Sequence, residues 1–440
     1  MVLRPGWFPE YSPAEQLVFD EVKKIIETNY SQYGFAHIQT PAVEANSVLL
    51  AKNGEDAGKQ IFWLYGLAQG NEDTKDYALH FDLTVPFARY ILDWEQEITF
   101  PFKRYQIQPV RRGERSQRGR FKEFRQSDID VIWRDEWIVT SNENQVIMWK
   151  NLYYDAETLV VIAKTLTEIS ARFLNNKPVS LRTNNRYLLA WFFSQFDEKV
   201  VPQLYSLLDR FYKISLDVFE KELGQLVDAT EAKKIMGFVQ STFSNLSPDL
   251  ADNDMYRRWY AELKEMMLYV DGLNQGWKYT IVWDPRIIRG LDYYTGMVYE
   301  AFFADDMWLG SISGWWRYEN LTGYINPKKS NYSWVGWSIG LSRMVYLILE
   351  TMKPEHTTQI EYLFVHFSET IQDILMLAWI FIQEGKTIEV YPSADKLGKQ
   401  FTYADKKWIP HVVILGEGEK ALKKYKIKNM KTGDESEIGL

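Results

Sequence analysis

Arg289-Gly290-Leu291-Asp292-Tyr293-Tyr294-Thr295-Gly296, running into Met297-Val298-Tyr299-Glu300-Ala301-Phe302, sets a guanidinium, a carboxylate, two phenols and a hydroxyl between two glycines. Glycine permits positive φ and close backbone approach, so a ligand could lie against the main chain here. The apolar run that follows reads as a strand. An octapeptide of this kind, taken alone, is an ordinary turn into a strand. Its meaning depends on the rest of the chain.

Composition narrows the field. With 440 residues the chain is long enough for two or three domains, and its 46% hydrophobic and 25% charged residues are those of an ordinary globular protein. No apolar run approaches a membrane span, and Met1-Val2-Leu3-Arg4-Pro5-Gly6 lacks the apolar core of a signal peptide. Zero cysteines exclude thiol chemistry, and the cytoplasm is the expected compartment. Five histidines, none in a ligand-like pair, argue against a histidine-rich zinc site, and no metal-ligating residues are expected. The net charge of -8 excludes coating of nucleic acid by bulk charge, although local basic patches can still bind RNA.

Taken in order, Ser12-Pro13-Ala14-Glu15 predicts a capping box with proline at the first helical position. Val18, Val22, Ile25 and Ile26 continue a helical stripe that Gly34 stops. Phe35 to Glu44 is strand-like, with Pro41 closing it. In Leu79-His80-Phe81-Asp82-Leu83-Thr84-Val85-Pro86, Asp82 or Thr84 reads as a helix cap. From Phe102 to Ile132 come Arg104, Arg111, Arg112, Arg115, Arg118, Arg120, Lys122 and Arg125. The flanks Tyr105–Val110 and Asp128–Ile132 read as strands. Arginines on a hairpin between buried strands suit a polyanion, because guanidinium grips phosphate in a fixed fork.

Val179 to Arg186 predicts a further core strand. Between about Ser194 and Gln275, Leu204, Leu207, Leu208, Phe211 and Ile214 recur at helical spacing without motif-like chemistry. Val335-Gly336-Trp337-Ser338-Ile339-Gly340-Leu341-Ser342-Arg343 reads as a strand leading into a helix. After Thr358, strands at Tyr362–Phe367, Thr387–Tyr391 and His411–Leu415 alternate with helices, which predicts a small parallel or mixed sheet. The first of those helices carries Ile371, Ile374, Leu375, Ala378 and Ile382 as its apolar stripe, with Gly385 closing it. Lys396, Lys399, Lys406, Lys407, Lys420, Lys423, Lys424, Lys426 and Lys428 make this end locally basic.

Several of these segments, in this order, resemble the histidyl-tRNA synthetases. The run from Arg112 to Gln126 is similar to the second class II motif in its histidyl form, and Arg289 to Gly296 to the histidine signature. The first helix, strand and proline resemble motif 1, and the stretch ending at Arg343 resembles motif 3. Lys396 to Lys407 resembles the anticodon-binding domain. The resemblance implies an α+β fold: an antiparallel-sheet catalytic core over residues 1–193 and 276–350, a helical insertion over 194–275, and an α/β anticodon-binding domain over 358–440. It implies ATP-dependent activation of L-histidine with Mg2+, transfer to tRNA(His), and a homodimer.

By the same resemblance Arg112 and Arg289 are the catalytic cations at the α-phosphate. Glu114, Arg120, Phe124 and Arg343 join Arg112 around ATP, with Phe124 and Arg343 enclosing the adenine. Asp82, Thr84 and Gln126 face the histidine ammonium, while Asp130 and Tyr294 read the imidazole; Tyr293 and Arg289 complete the histidine pocket. A synthetase-like regulatory subunit of histidine biosynthesis is the alternative, but such proteins generally lack the C-terminal domain and lose motif arginines. One departure stands out. Trp7, Trp133, Trp191, Trp315, Trp316, Trp334, Trp337 and Trp408 fall where relatives usually carry glycine or another small residue, and indoles at 315 and 316 should fill the pocket. The pattern fits a codon reassigned to glycine and printed as tryptophan.

Overall fold

Ser12 opens the first helix as the sequence predicts. In α1 (Pro13–Gln32) the Ser12 N–H donates to Glu15 Oε2 at 2.7 Å and the Glu15 N–H returns to Ser12 Oγ at 3.4 Å. Val18, Val22, Ile26 and Tyr30 form its buried stripe, and Gly34, at φ +77°, turns the chain out of it. The computed structural model describes residues 5–51, 60–64, 76–113, 118–134, 137–139, 146–148, 152–211, 214–241, 254–274, 276–277, 279–287, 296–303, 310–319, 321–329, 331–354 and 358–440. They form two compact units, Met1–Pro9 with Val22–Ile348, and Glu10–Glu21 with Leu349–Leu440.

The first unit is built on one eight-stranded sheet. Its strands are β1 (Ala36–His37), β5 (Phe102–Arg111), β6 (Glu123–Arg134), β9 (Val179–Asn185), β10 (Tyr279–Trp283), β11 (Met297–Phe303), β12 (Ser313–Glu319) and β13 (Tyr332–Ile339). They lie in the order β1-β5-β6-β13-β12-β11-β9-β10. The two edge pairs are parallel and the interior is antiparallel. Smaller pieces flank it: a sheet of β2 (Val43–Ala45), β3 (Trp63–Leu64) and β4 (Tyr77–Leu79) beside α2 (Asn46–Leu49), and a ribbon of β7 (Trp137–Val139) and β8 (Val146–Met148).

Helices cover parts of both sheet faces. The long α4 (Tyr153–Phe173) lies under one face, where its buried Asp155 holds Arg317 of β12 at 2.8 Å and Tyr154 packs on Trp133 of β6 at 5.3 Å between ring centres. On the opposite face α3 (Thr84–Trp94) and α10 (Leu321–Ile325) close one end, where Phe87, Ile91 and Leu321 pack against Ile132, Tyr332 and Trp334. Beyond that apolar end the same face stays polar. Between β9 and β10 the chain is helical, as expected, through α5 (Arg186–Phe193), α6 (Val201–Asp209), α7 (Leu216–Leu226), α8 (Ala229–Val239) and α9 (Asp254–Leu273). Leu204, Leu207 and Leu208 are buried there, and Asp228 with Glu231 forms a second capping box. α11 (Leu341–Thr351) follows β13 directly.

The second unit carries a five-stranded sheet in the order β15-β14-β16-β17-β18. The expected strands are β14 (Tyr362–Val365), β15 (Ile388–Val390) and β16 (His411–Ile414), all parallel. A hairpin of β17 (Lys424–Asn429) and β18 (Glu435–Gly439) extends them antiparallel, so the sheet is mixed. In α12 (Ile371–Gln383) the core-facing residues are Ile374, Leu377, Ala378 and Phe381, whereas Leu375 and Ile382 of the expected stripe are exposed. That helix is apolar on nearly every side, so hydrophobic spacing alone does not fix its phase. α13 (Leu397–Lys407) ends at Trp408 in the left-handed conformation, and α14 (Glu417–Ala421) precedes the hairpin. Much of the local basic charge is matched. Lys399, Lys407, Lys420, Lys424, Lys426 and Lys428 pair with Asp395, Glu389, Asp373, Glu437, Glu419 and Glu435.

Candidate active site

Three neighbouring strands carry the site. Cross-strand pairing aligns Phe102–Ile132–Trp334, then Arg104–Asp130–Gly336, then Gln106–Asp128–Ser338, then Gln108–Gln126. Because side chains alternate along a strand, these rows share one face. The first row is the apolar end beneath α3, where the Phe87 ring stands edge-on to Trp334 at 5.0 Å. Each later row is polar, and Arg104, Asp130, Gln106, Asp128, Ser338 and Gln126 are all buried.

Arg104 does not grip a phosphate here. Its guanidinium has no exposed surface and lies 4.3 Å over the Phe87 ring, with Nη2 2.5 Å from Asp130 Oδ2. Nη1 donates to Gln106 Oε1 at 3.2 Å, and Gln106 Nε2 donates onward to Thr40 Oγ1 at 2.8 Å. Gly336 sits opposite: a Cβ built there would fall 2.0 Å from Asp130 Oδ1. Only glycine lets that carboxylate lie on the β13 backbone.

At the mouth of α3, Asp82 Oδ1 accepts the Val85 N–H at 3.2 Å, so its capping role is real, and Thr84 beside it is also buried. Gln126 Nε2 donates to Ser338 Oγ at 3.0 Å, and the Ser338 hydroxyl also meets Asp128. Burial pushes the carboxyls of Asp82 and Asp128 up to about 6. It pushes Asp130 upward too, with Arg104 opposing the rise. Arg112 lies close enough to lower both Asp82 and Asp128.

Outside these rows the chemistry turns cationic. Arg112 donates from Nε to Phe81 O at 3.0 Å and lies 5.2 Å over the Phe124 ring. Arg343 reaches Ser311 O at 2.7 Å and Gly119 O at 3.4 Å. Arg120 is exposed. Arg111 is committed to Glu123 at 2.7 Å, and Arg118 donates to Tyr346 Oη at 2.7 Å. Glu114, Arg289, Tyr293 and Tyr294 lie outside the described residues, so of the histidine signature only Gly296, at φ +68°, is placed. Residues 284–287, upstream of the signature, are tied to β9. Asp284 is fully buried between Arg182 at 2.7 Å and Arg286 at 2.6 Å, while Asn184 Nδ2 donates to Pro285 O and Ile287 O, each at 3.0 Å. Trp316 pairs across the sheet with Gly336, and Trp315 with Trp337.

Of the residues the sequence singles out, Asp82, Gln126 and Asp130 lie buried near one another, and Arg112 stacks on Phe124 near Asp82. Sequence reasoning missed Arg104 as the partner of Asp130, and Asp128, Ser338 and Gly336 as further lining. The signal available was the two-residue alternation of Gln126, Asp128 and Asp130 along β6.

Residues 367–440 match the anticodon binding domain family. Histidine–tRNA ligase of Clostridium tetani is 35% identical over 99% of this chain and 95% of its own length; that of Clostridium acetobutylicum is 34% identical over 99% and 97%. The crystal structure of histidyl-tRNA synthetase from Nostoc sp. PCC 7120 superposes with a TM-score of 0.83 at 30% identity, covering 100% of this chain and 97% of that one. The chain belongs to the histidyl-tRNA synthetase family. The family implies use of a nucleotide, against which the residues present can be compared. A polyphosphate needs cations and an adenine needs a flat apolar partner, which Arg112, Arg120, Arg343 and Phe124 offer. Among the described residues no three or more His, Cys, Asp or Glu side chains gather as a metal site. A magnesium ion brought by the nucleotide would be held through its phosphates and water, the usual mode for this ion.

Proposed function

We propose that this chain activates L-histidine with ATP to histidyl-adenylate and transfers the histidyl group to the 3′ end of tRNA(His). The observation that carries this reading is the polar floor itself: Asp130, held by Arg104 over Gly336, beneath the Arg112–Phe124 rim. The histidine side chain enters towards Asp130, and its carboxylate faces outward to Arg112. A carboxylate oxygen then attacks the α-phosphorus of ATP, and pyrophosphate leaves. Charge develops on the phosphoryl oxygens, so positioned guanidiniums do most of the catalysis. Arg112 and Arg289 take that role, Arg343 and Arg120 hold the outer phosphates, and Glu114 meets the adenine edge. Tyr294 donates to the imidazole nitrogen that Asp130 does not read, Tyr293 packs beside it, and Thr84 with Asp82 and Gln126 surrounds the ammonium. A ribose hydroxyl of the terminal tRNA nucleotide next attacks the adenylate carbonyl carbon and expels AMP. Magnesium, carried on the ATP phosphates, would supply further neutralisation of the charge on the leaving pyrophosphate.

The catalytic core spans residues 1–193 and 276–350, the insertion 194–275, and residues 358–440 bind the anticodon. The working form is a cytoplasmic homodimer. The regulatory-subunit alternative is not favoured, because the relatives that match along the whole chain are ligases and an anticodon binding domain is present. The test is ATP–pyrophosphate exchange and tRNA aminoacylation with each amino acid in turn. It is run on this polypeptide and on a chain with Trp315→Gly and Trp316→Gly. Exchange dependent on histidine alone is the expected result. Exchange with a different amino acid, or none in either chain, would overturn the reading.

A further inference from the structure

Residues 118–125, which lead into β6, are fastened along their length to α11. The Ser342 hydroxyl accepts the Arg125 N–H at 2.9 Å, and Arg343 Nε donates to Gly119 O at 3.4 Å. Tyr346 lies one helical turn further on, so it can reach the same segment. Its phenol oxygen accepts the Arg118 Nε–H at 2.7 Å, and its ring stands edge-on to Phe121 with 6.1 Å between centres. Gly119, buried at φ +70°, makes the turn between these holds.

Arg343 has a place in the scheme above, whereas Tyr346 has none. What Tyr346 holds brackets Arg120: Gly119, before it, is tied to Arg343, and Phe121, after it, packs on the phenol ring. Arg120 itself is exposed. An exposed arginine loses conformational freedom when it grips a phosphate, and a backbone already fixed on both sides lowers that cost. The other rim residues have separate anchors. Arg112 is tied to Phe81 O at 3.0 Å and donates its N–H to Lys122 O at 2.9 Å, and Phe124 pairs with Val110 across β5 and β6. The floor around Asp130 is likewise built on strands, by Arg104 and Gly336. The influence of Tyr346 therefore falls on residues 118–121 and on the phosphate side of the site.

We propose that Tyr346 is a positioning residue for the nucleotide: by holding Arg118 and Phe121 it sets the backbone that presents Arg120 to the ATP phosphates. This rests on the reading that the Arg112–Phe124 rim takes ATP. Tyr346 touches no substrate, and no bond is made or broken through it.

Titration calorimetry with magnesium ATP, without amino acid, reads the effect without needing turnover. Tyr346→Phe keeps the ring on Phe121 and removes only the acceptor of Arg118. Its Kd for ATP should rise ~3- to 10-fold, part of what a hydrogen bond to a charged group is worth. Its Kd for histidine and its urea midpoint should stay at the parent's values, which a general loosening of the fold would move. In an Arg118→Ala background the same substitution should leave ATP affinity almost unchanged, because the donor is already gone. An unchanged Kd for ATP in Tyr346→Phe would overturn the assignment. So would an equal loss in the Arg118→Ala background, or matched losses for ATP and histidine. A parent that binds no ATP would overturn it together with the nucleotide reading. A parent that binds ATP but not histidine fails the proposed activity alone, and the two ATP comparisons still decide the role of Tyr346.

Discussion

Two tryptophans occupy backbone conformations that L-residues with bulky side chains rarely adopt. Trp7 has φ 70° and Trp408 has φ 58°, and both are about half exposed. At Trp408 the cause is visible. The chain leaves α13 through a left-handed residue, with the Ile409 N–H returning to Ala404 O at 3.0 Å, the ending at which glycine is usual. Among the described residues, asparagines account for two of the other three non-glycine residues with positive φ, and they tolerate that region far better. A half-exposed indole buries less apolar surface than one in the core. Trp408→Gly and Trp7→Gly should therefore each stabilise the protein by ~1 kcal/mol, offset in part by glycine's greater freedom in the unfolded chain. Urea unfolding of the single variants measures this. Loss of stability in both would remove the physical argument that these positions belong to glycine. Trp334 and Trp337 form the contrasting case, since both are fully buried in β13 and Trp334 packs edge-on to Phe87.

At the scale of elements, the β5–β6–β13 ribbon is what converts sequence alternation into a site. Its strands were legible because Tyr105–Val110 and Asp128–Ile132 alternate, and the capping box at Ser12 and the helix after Gly340 were equally plain. The role of Arg104 was not. In sequence it is one more cation in an arginine-rich run, and only strand pairing reveals that it faces Asp130 rather than solvent. The hairpin of β17 and β18 escaped notice for a related reason: its strands are lysine- and glutamate-rich, and cross-strand ion pairs take the place of a hydrophobic pattern. Row geometry also makes Gly336 a sharp probe. A methyl group there meets Asp130 at 2.0 Å and Ile129 O at 3.2 Å, so the carboxylate must move off the β13 backbone. Gly336→Ala should raise the KM for the amino acid by tenfold or more, about 1.4 kcal/mol of lost binding, while the KM for ATP changes little. A parallel rise in both constants would mean that the strand had shifted as a whole.

For the whole molecule, acid and base act on two opposed sets of carboxylates. Glu95, Asp395 and Glu419 are held below their usual range by hydrogen-bonded lysines, so their stabilisation is lost on acidification. Asp82 and Asp128 run the other way. Their carboxyls titrate at about 6 when folded, against 3.8 ordinarily, because burial disfavours the charged form. Between those values the folded chain binds more protons than the unfolded one, so their contribution falls as pH rises from about 4 to 6 and stays low above that. Asp128→Asn keeps the shape but carries no charge, and it isolates the second set from the first. Near pH 4 the variant and the parent should unfold at similar urea concentrations. By pH 7 the ligand-free variant should be the more stable by roughly 1–3 kcal/mol, since each unit of raised pKa corresponds to ~1.4 kcal/mol. A stability difference that is flat from pH 4 to 8 would show that Asp128 is not held in buried surroundings that disfavour its charge.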